Sequence, residues 1–66
     1  MLKLKEIRES RKMTQAVLAA RVGVAQGYLS SLENGVYNPS FEVLIRLAKA
    51  LECKLDDLVD LDSAAS

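Results

Sequence analysis

Two short segments with apolar residues at helical spacing, residues 15–22 and 26–33, are separated by three residues that begin with Gly23. The apolar positions are Leu18, Val22, Leu29 and Leu32. Glycine is the usual residue where a helix ends in a left-handed conformation, because it adopts a positive φ at little cost. The helix over residues 26–33 must then cross the helix over residues 15–22 closely, and the small Ala19 allows that approach. We therefore predict a helix-turn-helix over residues 15–34.

The rest of the chain predicts three more helices at about residues 3–12, 41–51 and 55–61, with a frayed tail at residues 62–66. Thr14 and Ser40 are good N-caps, and Asn34-Gly35 ends the third helix. We expect the fourth helix to bury Phe41, Leu44, Leu47, Ala48 and Leu51. No segment alternates as a strand does, so the 66 residues predict one all-α, five-helix domain over residues 1–66.

Several functional classes are excluded by composition. The chain has one cysteine and no histidine, so we expect neither an internal disulfide nor a structural metal, and no cofactor. The paired Asp56 and Asp57 are better explained as charges that favour a helix start than as catalytic groups. We expect no enzyme activity. No apolar run spans a bilayer and the N-terminus is unlike a signal peptide, so we expect a cytoplasmic location and no membrane contact.

The outer face of the third helix is polar but carries no charge. On a helical wheel it holds Gly27, Ser30, Ser31 and Asn34, and Gln26 lies at the N-terminal end. A solvated helix usually presents Lys and Glu at such positions. Gln, Ser and Asn instead form hydrogen bonds with base edges and phosphates, and small residues permit close approach to DNA. This face therefore predicts contact with DNA bases, with Ser30 and Ser31 among the candidates.

These segments resemble a known family. The stretches 14–19, 22–24 and 28–35, followed by Asn38-Pro39-Ser40-Phe41 and residues 47–51, are similar to the phage repressor and Cro helix-turn-helix proteins, also called the Xre family. The similarity covers about residues 4–60. It implies a compact lambda-repressor-like domain whose second helix crosses the DNA backbone while the third enters the major groove.

The resemblance also implies roles for individual residues. Gln26 matches a base-reading position and would hold adenine through N6 and N7, and Gly27 and Ser31 match further base-facing positions. Gln15 would touch a phosphate and brace Gln26. The matching DNA-backbone contacts are Thr14, Gln15, Tyr28, Asn34 and, in the following loop, Tyr37 and Asn38. Arg8 and Glu33 match a structural ion pair between the first and third helices.

Five positions depart from the family pattern. Val36 and Tyr37 stand where Lys or Arg often contacts phosphate, which predicts weaker salt-dependent affinity. Ala25 replaces a capping Ser or Thr, and Val17 stands where Glu would complete a capping box. Gly27 offers no side chain to a base.

Apolar residues without a clear place in one core are candidates for a dimer interface. We expect Leu61 to be the main contact, with Leu58 and Val43 beside it. The partner would be double-stranded DNA with a palindromic operator, bound by a homodimer, and RNA polymerase or a partner protein is a further candidate contact. We expect no second domain, so the activity of the regulator would be controlled by its concentration, by dimerisation or by that partner.

The sequence thus predicts a sequence-specific transcriptional regulator, a repressor or autoregulator that binds an inverted repeat. A phage repressor, a restriction–modification controller and an autorepressing antitoxin all remain open. The alternative is a helical protein-interaction module with weak or lost DNA binding.

The net charge of zero does not exclude binding to DNA. Residues 1–51 hold eight basic and four acidic groups, and residues 52–66 hold one basic and five acidic groups.

Overall fold

The computed structural model describes residues 2–59 and contains five helices in that range. They are α1 (Leu4–Ser10), α2 (Gln15–Val22), α3 (Gln26–Glu33), α4 (Phe41–Leu51) and α5 (Leu55–Leu58). The predicted bounds of the second, third and fourth helices are confirmed. The first helix is shorter at both ends than predicted. The frayed tail predicted at residues 62–66 lies outside the described residues.

Local signals explain where α2 and α4 begin. The hydroxyl of Thr14 accepts a hydrogen bond from the backbone N–H of Val17 at 3.1 Å, and that of Ser40 accepts one from Val43 at 3.2 Å. Each bond satisfies an N–H group that the first turn of a helix leaves without an intrahelical partner. As expected, Ala25 makes no such bond at the start of α3.

The tight turn of the helix-turn-helix depends on Gly23. Its φ of 84° lies in the left-handed region, and its N–H donates to the carbonyl of Ala19 at 2.8 Å. Val24 donates to the same carbonyl at 3.0 Å. These bonds cap α2 and reverse the chain within three residues, so α3 starts beside the end of α2.

Leucine makes up most of the core. Seven leucines are fully buried: Leu4, Leu18, Leu29, Leu32, Leu47, Leu51 and Leu58. Ala19, Val22 and Ala48 complete it. The helix α2 packs against both α3 and α4, while α1 packs on α3 and α5 packs on α4. The inner side of the helix-turn-helix therefore packs against α1 and α4, and the outer face of α3 stays uncovered in the described chain.

The two ends of the described chain meet. Leu2 and Val59 form an isolated antiparallel β-bridge, and the N–H of Lys3 donates to the carbonyl of Leu58 at 2.7 Å. The predicted continuation of the fifth helix to residue 61 is wrong at Val59, whose φ of −111° and ψ of 126° are extended. The bridge with Leu2 replaces the next helical turn.

The structure also corrects two apolar assignments. Leu58 is fully buried inside the monomer, so the prediction that places it at a dimer interface is wrong. Phe41 is 68% exposed and Leu44 is half-buried, so neither joins the buried stripe of α4. Phe41 is exposed because it starts the helix at the edge of the core. Val43 is half-buried and packs against the core. Leu61 lies outside the described residues.

Candidate nucleic-acid interface

The outer face of α3 combines exposed and half-buried polar residues. Gln26 and Gly27 are exposed in the first turn, and Ser30 and Ser31 are half-buried one turn later. A Cβ atom added at Gly27 would meet no atom of the protein within 4 Å. The fold therefore does not require glycine there. A small residue at this point leaves room for a ligand that approaches α3 from outside.

A hydrogen-bonded network joins α1, α2 and α3 behind this face. The guanidinium of Arg8 donates to both carboxylate oxygens of Glu33, with Nε to Oε2 at 2.6 Å and Nη2 to Oε1 at 3.2 Å. A third donor, Nη1, reaches the carbonyl of Met13 at 2.8 Å. The side chains are 10% and 2% exposed, so the pair predicted from the sequence is present and nearly dry. Hydrogen bonding to Glu33 raises the pKa of Arg8, which stays charged.

Gln15 extends this network to the start of α2. Its amide Nε2 donates to Oε1 of Glu33 at 3.1 Å, a contact that the sequence did not predict. The bond leaves one amide hydrogen and the carbonyl oxygen of Gln15 for other partners. Because Glu33 ends α3 and Gln15 begins α2, the network fixes the N-terminus of α2 relative to the outer face of α3.

The start of α2 presents donors in the same region. Thr14 is exposed, and its hydroxyl oxygen caps the helix through Val17, which leaves its hydroxyl hydrogen free to donate. The half-buried Gln15 follows it. A helix N-terminus that carries such donors suits an anion such as a DNA phosphate.

The loop after α3 is held against that helix. The N–H of Gly35 donates to the carbonyl of Leu32 at 3.2 Å, and Val36 donates to Ser31 at 2.9 Å. The rings of Tyr28 and Tyr37 lie 6.2 Å apart at an angle of 30°. This is within the range in which aromatic rings attract one another.

The structure thus places the predicted loop residues directly after α3, with the ring of Tyr37 near that of Tyr28. Asn34 and Asn38 are exposed, and Tyr37 is exposed over 56% of its surface. The sequence does not predict the tyrosine pair, because its members are nine positions apart on either side of an irregular turn. Two tyrosines near an Asn-Gly turn are the only signal that could have suggested it.

Cys53 has no reactive environment. It is half-buried beside the core, and its burial, together with the charge of Asp57, raises the pKa of the thiol. The thiolate is the nucleophilic form, so a raised pKa disfavours reaction at this cysteine. Within residues 2–59, no group of three metal-ligating side chains comes together, and no helix is long and apolar enough to cross a bilayer.

Known proteins share this sequence and arrangement. A family model described as Helix-turn-helix matches residues 4–58. An HTH-type transcriptional regulator from Archaeoglobus fulgidus is 38% identical over 60 residues, which cover 91% of this chain and 84% of that protein. The restriction–modification controller protein C.AhdI from Aeromonas hydrophila superposes with a TM-score of 0.82 at 30% identity, over 85% of each chain. The P22 c2 repressor, solved in complex with a synthetic operator, superposes with a TM-score of 0.80 at 35% identity, over 86% of each chain.

The fold and the site define a lambda-repressor-like helix-turn-helix domain. The chain belongs to the helix-turn-helix family of DNA-binding transcriptional regulators, as the resemblance to phage repressors and Xre proteins predicted. Proteins of this family bind DNA and are not enzymes, in agreement with the expected lack of catalytic activity.

Proposed function

We propose that this protein is a sequence-specific transcriptional repressor that acts in the cytoplasm as a homodimer on an inverted-repeat operator. The observation that carries the proposal is the uncharged polar face of α3, held in register with the start of α2 by the network of Arg8, Glu33 and Gln15. A helix in the major groove reads bases through side chains that form hydrogen bonds, and a rigid support keeps those side chains in place.

In this proposal four residues face the bases: Gln26, Gly27, Ser30 and Ser31. The amide of Gln26 can pair with adenine through N6 and N7 in a two-bond contact. The hydroxyl groups of Ser30 and Ser31 accept or donate to either base pair. Gly27 lets the base edges approach the helix backbone, because nothing in the protein occupies the space where a Cβ would be.

Six residues contact the DNA backbone in this proposal: Thr14, Gln15, Tyr28, Asn34, Tyr37 and Asn38. They lie at the start of α2, on α3 and in the loop that follows it. The loop is held in place by Tyr28 and Tyr37, whose hydroxyl groups then reach phosphate at a smaller conformational cost. Contacts of this kind position the protein on DNA, and the base contacts provide the specificity.

The homodimer follows from the shape of the target. One short recognition helix reads only a few base pairs, and two copies related by a twofold axis read two half-sites. Half-sites one helical turn apart are separated by roughly 34–36 Å. The described domain measures 34 × 23 × 20 Å, so two domains placed end to end with their long axes along the duplex would be centred about one helical turn apart.

Selection of binding sites from a pool of random duplexes tests the function. We expect enrichment of a partly palindromic motif whose halves are centred about 10 base pairs apart. The control is the variant Gln26→Ala, which should enrich a motif with relaxed preference at one base pair of each half. Shallow binding without sequence preference at both low and moderate salt would contradict a regulator and would favour a protein-interaction module.

A further inference from the structure

A basic pocket lies between α2 and α4. Its volume is about 490 Å³, which is within the range of roughly 300–1,000 Å³ that is usual for binding sites. Three of the chain's nine Lys and Arg residues meet in its lining, and all three are exposed. The lining residues are Arg21, Val22, Arg46, Lys49, Ala50 and Glu52.

This pocket lies at the far ends of two helices that begin in the proposed DNA interface. The helix α2 starts after Thr14, and its last turn carries Arg21. The helix α4 starts after the loop over residues 34–40, and its last turn carries Lys49. At a rise of 1.5 Å per residue, helices of 8 and 11 residues are about 12 and 16 Å long. We therefore expect DNA bound by α3 and the loop to leave the pocket accessible.

The basic side chains of the pocket are available for an acidic partner. Within residues 2–59, Arg21 and Lys49 form no ion pair, and Arg46 pairs with Glu42 at 2.7 Å. That pair is exposed to solvent, so a competing carboxylate can replace Glu42 at little cost in free energy. The pocket can thus offer three cationic groups.

Stabilisation of helix ends does not explain this cluster. Cations are favourable in the last turn of a helix. At the end of α4, however, Arg11 already donates from Nε to the carbonyl of Leu51 at 2.9 Å. Arg46 lies in the middle of α4, where the helix dipole has little effect. The meeting of Arg21 with two basic residues of another helix therefore points to a ligand.

The lining favours an acidic protein segment over a nucleic acid. Duplex DNA carries one negative charge per about 1.7 Å of its axis, and such a dense row of phosphates would also meet the carboxylates of Glu42 and Glu52. Two or three carboxylates on a peptide match the cations and can avoid these glutamates. The buried Val22 and the half-buried Ala50 add apolar surface against which an aliphatic side chain can pack.

We propose that the pocket around Arg21, Arg46 and Lys49 binds an acidic segment of a partner protein, in which two or more carboxylates flank an aliphatic side chain. The partner would bind while α3 stays free to read DNA. Binding of this segment is separate from DNA reading, and only the expected access to the pocket in the DNA complex rests on the proposed function.

Selection from a random peptide library displayed on phage tests the chemistry of the partner. The target is the whole 66-residue chain without DNA. The enriched peptides should carry at least two Asp or Glu residues near an aliphatic residue. When a selected peptide is added, the largest changes in backbone amide chemical shift should occur at Arg21, Lys49 and Ala50. A lack of enrichment, enrichment of peptides without acidic residues, or largest changes on α3 would overturn the proposal.

Charge reversal in the pocket tests the ionic contacts. Lys49→Glu should raise the Kd of the selected peptide about tenfold or more, because like charges then face each other. The matched control is Lys5→Glu, which makes the same change at an exposed residue of α1 outside the lining and should alter the Kd less than about twofold.

A peptide with one acidic residue replaced by Lys should regain affinity for the Lys49→Glu variant, which an unfolded variant could not show. An unchanged Kd for Lys49→Glu with the original peptide would contradict the proposed contacts.

Competition identifies the occupant. Inorganic phosphate at matched ionic strength, and a single-stranded RNA with the net charge of the peptide, should displace the peptide poorly. An RNA that binds more tightly than the peptide and loses affinity in Lys49→Glu would assign the pocket to a nucleic acid. Deletion of residues 60–66 should leave the Kd unchanged, and a large fall in the Kd would assign the pocket to the chain's own acidic segment. Either result would overturn the proposal. No operator is used, so this failure is distinct from a failure of operator selection.

Discussion

Residues with similar chemistry play different parts in this molecule because their surroundings differ. The Arg8–Glu33 pair is almost dry, and the carboxylate also accepts from Gln15. The Arg46–Glu42 pair on α4 has the same donor and acceptor groups at 2.7 Å, but its side chains are 51% and 73% exposed. Breaking a buried pair leaves a charge without compensation, whereas breaking an exposed pair returns both groups to water.

We predict that Glu33→Gln lowers the free energy of unfolding by about 3 kcal/mol, because the Arg8 charge loses its buried counterion. The matched control is Glu42→Gln, which removes the same charge from the exposed pair and should cost less than about 1 kcal/mol. Urea denaturation of the two variants measures the difference. Equal losses of stability would show that the buried network does not hold the helices together.

At Gly27, a side chain should affect the stability of the fold and the affinity for DNA in opposite directions. We predict that Gly27→Ala raises the free energy of unfolding by about 0.5 kcal/mol, because glycine is a poor helix residue and the added Cβ meets no protein atom. The affinity for the selected operator should fall at the same time, since the methyl group occupies space that the base edges need. Chemical denaturation and fluorescence anisotropy measure the two effects. Unchanged operator affinity would remove Gly27 from the interface.

At the scale of elements, the sequence predicts those helix ends that depend on hydrogen bonds between residues close together in the chain. Thr14, Gly23 and Ser40 fix the ends of α2 and the start of α4 through bonds that span three or four residues. The end of α5 was missed because Val59 pairs with Leu2 at the other end of the chain. No local pattern could predict that bridge, and the same holds for the contact of Gln15 with Glu33 across 18 positions.

The start of α3 lacks a side-chain cap and can be improved. Ala25 has the extended backbone of an N-cap residue, with φ of −69° and ψ of 145°, but makes no capping hydrogen bond. We predict that Ala25→Ser raises the free energy of unfolding by about 1 kcal/mol, because the hydroxyl can accept from a free N–H of the first turn. Thermal unfolding measures the gain, and Ala25→Val, which cannot accept a hydrogen bond, is the control. A serine variant no more stable than the valine variant would contradict the missing cap.

At the scale of the whole molecule, charge is divided between two regions. The surplus of basic groups lies in residues 1–51, and residues 52–66 carry an acidic excess. In the described part of that acidic region, Asp56 and Asp57 are exposed on α5. When the helix-turn-helix faces DNA, these carboxylates should lie away from phosphate. The affinity for DNA should therefore depend on where a charge lies in the fold and not on the net charge of the chain.

The salt dependence of DNA binding tests whether the position of a charge matters more than the net charge. Val36 is 64% exposed in the loop after α3, and we predict that Val36→Lys steepens the slope of log K against log [salt] by about 0.9 for each bound copy. Asp56→Asn changes the net charge by the same amount on α5 and should leave the slope unchanged. Equal changes for both variants would show that net charge, and not the loop, governs binding to DNA.

The reading of bases by α3 is tested most directly by a double-mutant cycle between Gln26 and its base pair in the selected operator. Gln26→Ala should cost about 1–3 kcal/mol on the selected duplex and much less on a duplex in which the contacted adenine is replaced. Replacing the base should likewise cost the wild type more than it costs the variant. Losses that simply add, or a variant that binds the selected duplex as tightly as the wild type, would contradict the assignment of Gln26 to base recognition.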